Sequence, residues 1–163
     1  MTACTPPDEH PAHIPGNGVY LELARMGIAE HSIVSFRLFG DDLVPGEITE
    51  LLGCQPTNAY AKGDVRVGSS TGNRYVEKTG RWSLAASDRR PEDIPTQIAE
   101  ILARLTADLG VWGALRSRFT MDFFCGVFMG SSNDGLEFTP ELLGQLSARG
   151  ISLSLDIYDH SED

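Results

Sequence analysis

Arg81 and Trp82 are the neighbours in this sequence best suited to recognising a ligand. A guanidinium presents a planar fork of donors and an aromatic ring beside it offers a flat apolar surface, so the two together suit a carboxylate or a flat ligand. The preceding glycine-rich stretch contributes Lys62, Arg66 and Arg74. Arg66, Arg74, Arg81 and Trp82 therefore form the candidate ligand-binding set. The competing reading makes Trp82 a core anchor, whose indole N–H must then find a partner.

Catalytic chemistry has less to work with. Nucleophilic catalysis needs a Ser or Cys beside a His that a carboxylate orients. His10, His13, His31 and His160 stand in or next to the terminal segments, and no Gly-x-Ser-x-Gly elbow occurs. Cys4, Cys54 and Cys125 are far apart with no Cys-x-x-Cys pair, which gives no zinc or redox motif and no disulfide framework. Cys125 lies in an apolar run, where burial makes a thiol inert.

Asp41, Asp42 and Glu47 cluster at one turn and have the oxygen chemistry of a hard-cation site. The helix that follows explains them more simply, because its N-terminus favours negative charge. His10 and His13 near Asp8 and Glu9 occupy a tail with no preformed site to bind a metal. The glycines at 63, 68, 72 and 80 lack the Gly-Lys-Ser/Thr of a phosphate loop. No catalytic residue, metal or cofactor is assigned, and the expectation is a non-enzymatic protein.

The 163 residues carry 13 basic and 23 acidic side chains, a net charge of −10. Phosphate backbones repel such a chain, so nucleic acid is not an expected partner and a basic protein is the natural one. No run reaches the length of a membrane span, and the N-terminus does not read as a secretory signal. A cytoplasmic, reduced protein is expected.

Several elements must position these residues. Residues 1–30 read as a flexible extension, rich in proline up to Asn17, with a short strand or arm at Val19–Leu23. Residues 31–159 read as one domain, followed by an acidic tail at 160–163. Ser32–Phe39 alternates as a strand, with Val34, Phe36 and Leu38 on one face and Ser35 and Arg37 on the other. Pro45 starts a short helix, Ile48, Leu51 and Leu52 line its apolar stripe, and Gly53 ends it. Val65–Val67 and Tyr75–Glu77 suggest a hairpin inside the Gly-rich loop at 63–80.

Gly80–Ser87 follows as a strand, with Trp82, Leu84 and Ala86 on one face. Pro95–Leu109 is expected as the longest helix, stopped by Gly110, with a further turn or two over Trp112–Arg118. Phe119–Met129 is apolar on both faces and belongs inside a sheet. Thr139 caps and Pro140 opens the last helix, and Ile151–Tyr158 alternates strictly as the final strand.

Two strand–helix–strand units of this kind predict an α+β, ferredoxin-like sandwich. The expected sheet is four-stranded and antiparallel, in the order 4-1-3-2, with three helices mainly on one face. Phe124 and Phe128 fall on its polar side, a bare patch that soluble monomers seldom leave uncovered. The Trp112–Arg118 turn, the Val19–Leu23 arm or a second copy could cover it. Intramolecular cover, and so a monomer, is expected.

The segments Phe36-Arg37-Leu38-Phe39-Gly40, Pro45–Gly53 followed by Pro56-Thr57, Gly80-Arg81-Trp82-Ser83-Leu84 and Ile151–Tyr158 resemble the bacterial family called domain of unknown function 4279. The resemblance spans roughly Ser32–Asp159. It implies an α+β domain without an assigned activity and carries over no catalytic residue.

Two functions are consistent with these readings. One is a non-enzymatic protein-interaction domain, for example of the immunity type, which neutralises a basic partner. The alternative is a small-ligand or regulatory domain that uses the Gly-rich 63–80 loop with Arg81 and Trp82.

Overall fold

The structure is a computed structural model and describes residues 28–70 and 72–159. The Met1–Asn17 tail, the Val19–Leu23 arm, His10, His13, Cys4 and the 160–163 tail lie outside the described residues.

The chain runs β1 (His31–Gly40), α1 (Pro45–Leu52), β2 (Asn58–Tyr60), β3 (Val65–Val67), β4 (Arg74–Val76), β5 (Gly80–Ala85), α2 (Ile94–Arg104), α3 (Leu109–Arg118), β6 (Thr120–Phe128), α4 (Pro140–Arg149) and β7 (Ser152–Tyr158). Short-range rules account for the helix ends. Pro45 sits in the first turn of α1, and Gly53 closes that helix at φ 72°, a left-handed conformation that glycine adopts without strain. The Thr139 hydroxyl accepts the Leu142 N–H at the start of α4, and Gly150 ends it at φ 69°.

Five strands form one mixed sheet in the order β2-β5-β1-β6-β7, and β3 and β4 form a separate two-stranded hairpin. This replaces the expected four-stranded antiparallel sheet of order 4-1-3-2 with three helices. β1 is flanked by β5 and β6, both antiparallel to it, so neither of its edges is left for β7. β7 pairs with β6 in parallel instead. The loop after β6 and α4 supply the long crossover that a parallel pair needs.

The fifth strand, β2, is three residues without an apolar pattern and exists through its pairing with β5. The fourth helix, expected only as a turn or two over Trp112–Arg118, spans Leu109–Arg118. Gly110 lies in its first turn rather than stopping α2, because the Asp108 carboxylate accepts its N–H at 2.8 Å and caps a new helix. α2 accordingly ends at Arg104.

All four helices among the described residues bury side chains against one sheet face. Phe36 is the hub of that core, with ring centroids 6.2 Å from Trp82, 5.6 Å from Trp112 and 5.4 Å from Phe123. Cys125 is buried in the same layer. Burial first, and the neighbouring Asp122 charge second, push its thiol up to about 12, against a smaller lowering by Arg37. A buried polar knot fastens α2 to β1: the Ser32 hydroxyl donates to Gln97 Oε1 at 2.6 Å, and Gln97 Nε2 donates to the carbonyls of Ser32 and Ser87. With both partners satisfied, such burial carries little penalty.

The regular alternation of β7 did not translate into burial. Ile151 is buried and Leu153 half-buried, but Leu155 is 41% and Ile157 57% exposed. β7 is an edge strand, and it receives cover from one neighbouring strand only.

Candidate functional site

Side chains of directly paired residues share a sheet face, so the register of the strands reads out what lies opposite the helices. One row runs Tyr60, Arg81, Phe39, Thr120 across β2, β5, β1 and β6. The next runs Asn58, Ser83, Arg37, Asp122, Ser152, and a third runs Ala85, Ser35, Phe124, Ser154. Arginines and aromatic rings alternate over this open face.

The rings and guanidinium groups stack. Arg37 lies 4.4 Å from the Phe124 centroid and 5.3 Å from that of Phe39, while Arg81 lies 5.6 Å from the Phe39 centroid. Arg66 reaches in from the hairpin to sit 4.6 Å over Tyr60. At the far end of the face Phe128 is sandwiched between His31 at 4.8 Å and Tyr158 at 4.6 Å. The two phenylalanines on the polar side are thus covered by side chains of neighbouring strands, Phe124 by Arg37 and Phe128 by His31 and Tyr158. α3 plays no part in that, because its Trp112 lies in the core on the opposite face.

The three arginines differ in what neutralises them. Arg37 Nε and a terminal nitrogen donate to the two Asp122 oxygens at 2.8 and 2.6 Å, a bidentate pair, and the Ser154 hydroxyl adds to Asp122 at 3.3 Å. The Asp122 hydrogen bond holds the Arg37 guanidinium above its ordinary range despite desolvation. Arg66 has Glu77 at 3.4 Å. The Arg81 side chain has no carboxylate and no hydrogen bond among the described residues, and its Nε is buried without a partner.

Arg81 lines a pocket of about 360 Å³ with Ile33, Ser35, Arg37, Ala85, Asp88 and Phe124. Ile33 owes its position to Gly126 on β6, where an added Cβ would come within 2.8 Å of the Ile33 side chain. A volume near 360 Å³ is at the small end of ligand sites.

The structure divides the four residues expected from sequence. Arg81 is on the open face. Trp82, one residue on, points to the helices with 0% exposure and donates its indole N–H to Thr49 Oγ1 at 3.1 Å, so it is a core anchor. Arg66 borders the Arg81 row through Tyr60. Arg74 is exposed on the hairpin opposite Val67 and makes no contact with the pocket. Arg37, Phe39, Phe124, Ile33 and Asp88 were missed as site residues. Their signal was an arginine and a phenylalanine on the polar side of otherwise regular strands.

The other clusters are already occupied. Asp41 pairs with Lys62, and Glu47 accepts from Arg118 at 2.6 Å, which holds its carboxyl below the ordinary range. Asp42 lies 3.5 Å from the same arginine. Among the described residues no group of three or more His, Cys, Asp or Glu is placed to hold a metal ion. No helix described is long and apolar enough to cross a membrane. A second pocket of about 350 Å³ lies between the start of α2 and residues 135–139 and includes Glu92, Asp93 and Glu137. Burial raises the Glu92 carboxyl above its ordinary range, partly offset by the Ile94 N–H it accepts.

Comparison with known families gives one match over residues 29–160, to the family described as "Domain of unknown function (DUF4279)". Comparison with curated proteins and with solved structures gives no match.

Proposed function

The chain belongs to the DUF4279 family, whose description names no activity, and from the open sheet face we propose that it is a non-enzymatic binding module for a small carboxylate-bearing ligand. The observation that carries this reading is Arg81. Its neighbours Arg37 and Arg66 each have a carboxylate of their own, whereas Arg81 lines a pocket with a buried, unpartnered Nε. A partly desolvated donor without an acceptor is costly, and a ligand carboxylate would satisfy it with a charge-assisted, potentially bidentate bond. The Phe39 and Phe124 rings and the small Ser35 and Ala85 side chains leave room beside it for an apolar body.

Calorimetric titration with a panel of alkyl and aryl carboxylates, benzoate included, tests this. A hydrogen bond to a charged group is worth about 1.5–3 kcal/mol, so Arg81→Gln should weaken binding roughly tenfold or more. Arg74→Gln should change it less than about twofold, as a surface charge outside the pocket. Binding that is indifferent to Arg81→Gln, or a panel with no binder, would overturn the proposal.

A second reading, a protein-interaction domain for a basic partner of the immunity type, draws on the net charge of −10 and on the acidic pocket with Glu92, Asp93 and Glu137. It expects a basic protein to be retained by the immobilised chain at low salt and released as salt screens the attraction. Retention unaffected by the Glu92→Gln/Glu137→Gln double variant would count against the acidic pocket as the contact.

A further inference from the structure

The pocket that Arg81 lines is not of one charge. Asp88, which follows β5 in the chain, lines it as well, with Ile33, Ala85 and Phe124 among the other walls. The Asp88 side chain is 70% exposed, and its ionic contact is with His31 Nε2 at 3.5 Å, long for a hydrogen bond. The third charged lining residue, Arg37, is neutralised by Asp122. The pocket therefore keeps one cation without a carboxylate and one weakly engaged anion.

Backbone geometry holds these two apart. Beyond β5 the chain continues alongside β1, since the Ala86 N–H donates to the Val34 carbonyl and Arg89 bridges to Ser32. Arg81 and Asp88 are thus seven positions apart on a largely extended segment. Side chains of Ile33, Ala85 and Phe124 supply apolar surface in the same pocket.

Building on the reading of Arg81 as the carboxylate contact, we infer that the ligand is a zwitterion whose carboxylate and ammonium groups are separated by an apolar spacer. The carboxylate meets Arg81, the ammonium meets Asp88 and the spacer lies over Ile33, Ala85 and Phe124. An α-amino acid does not fit this arrangement, because its ammonium stands next to its carboxylate and would face Arg81 and Arg37. A plain alkanoate of the same length satisfies Arg81 but leaves Asp88 without its counter-ion. Selectivity then comes from the pairing at the second end.

Matched pairs of ligands, titrated calorimetrically into the full chain, test the inference: butyrate with γ-aminobutyrate, caproate with ε-aminocaproate, octanoate with ω-aminooctanoate, and glycine as the α-amino control. At the length that spans the pocket, the amino compound should bind about threefold to fivefold more tightly than its alkanoate, the effect expected of an exposed ion pair. Asp88→Asn should erase that difference, while Arg81→Gln weakens both members of the pair. Glycine should not bind. Alkanoates that bind in an Arg81-dependent way with no gain from the amine at any length, or a gain that survives Asp88→Asn, would overturn the zwitterion and leave the carboxylate reading standing. Absence of binding by every carboxylate would remove both. Thermal melting of each variant, compared with the parent chain, separates lost contacts from lost folding.

Discussion

Phe123→Ala is expected to lower the stability of the domain by about 3–5 kcal/mol, the usual loss for a fully buried phenylalanine. The ring has 0% exposure in the interior strand β6 and packs 5.4 Å from Phe36, which itself touches Trp82 and Trp112. Removing it opens a cavity against the Phe36 ring, and a rigid ring of that size does not collapse inward to fill it. A whole domain has only about 5–15 kcal/mol to lose, so the variant should unfold at a much lower denaturant concentration. Phe128→Ala provides the contrast on the same strand. That side chain lies on the open face between His31 and Tyr158, and losing two stacked contacts should cost about 1–2 kcal/mol. Equal losses from the two variants in chemical denaturation would contradict the assignment of faces.

Trp82→Ala is expected to cost a similar amount, about 3–5 kcal/mol, whereas Arg81→Gln beside it should change stability by less than about 1 kcal/mol. The difference follows from the pleat, which turns consecutive side chains to opposite faces. Trp82 is fully buried beside Phe36 and ties α1 to the sheet through Thr49, so its loss leaves both a cavity and an unpaired hydroxyl. The Arg81 guanidinium has no hydrogen bond among the described residues to lose. Carboxylate affinity should show the reverse pattern, falling in Arg81→Gln and persisting in whatever fraction of Trp82→Ala remains folded. A Trp82→Ala protein as stable as the parent, by thermal or denaturant unfolding, would mean the indole is not the anchor its burial indicates.

The shared dependence on the pleat also explains why the candidate ligand set had to be redrawn. Arg81 and Trp82 are adjacent in sequence, and adjacency in a strand guarantees separation in space. The residues that do meet Arg81 come from other strands: Phe39 and Arg37 from β1, Phe124 from β6. They share a pocket only because β5 and β6 flank β1, and no local pattern states which strands are neighbours. Asp88 lies past the end of β5 and reaches the pocket because the chain stays alongside β1 to Arg89.

Where the physics is local, the sequence by itself was sufficient. Proline at the start and glycine at the end delimited α1 and α4, since a cap is made by residues within one turn of it. Alternating apolar residues marked β1, β5, β6 and β7, because side-chain direction in a strand has a period of two residues. The same rules determined that Phe124 and Phe128 would sit on the polar side. They also made Cys125 a buried, inert thiol.

Tertiary structure decided what depends on partners. β2 is a strand because the β5 edge offers it hydrogen bonds, not because of its own three residues. Gly110 lies in the first turn of a helix because Asp108 caps it there, and a glycine in isolation reads equally well as a stop. β7 runs parallel to β6 at the edge because β1 has no free side, and its outer aliphatic residues are exposed for that reason. The charge state of the open face was decided last, by which arginine found a carboxylate: Asp122 reached Arg37, Glu77 reached Arg66, and none of the described residues reached Arg81. Composition counts charges, but only the fold sets the distances between them, and electrostatic pairing depends on distance.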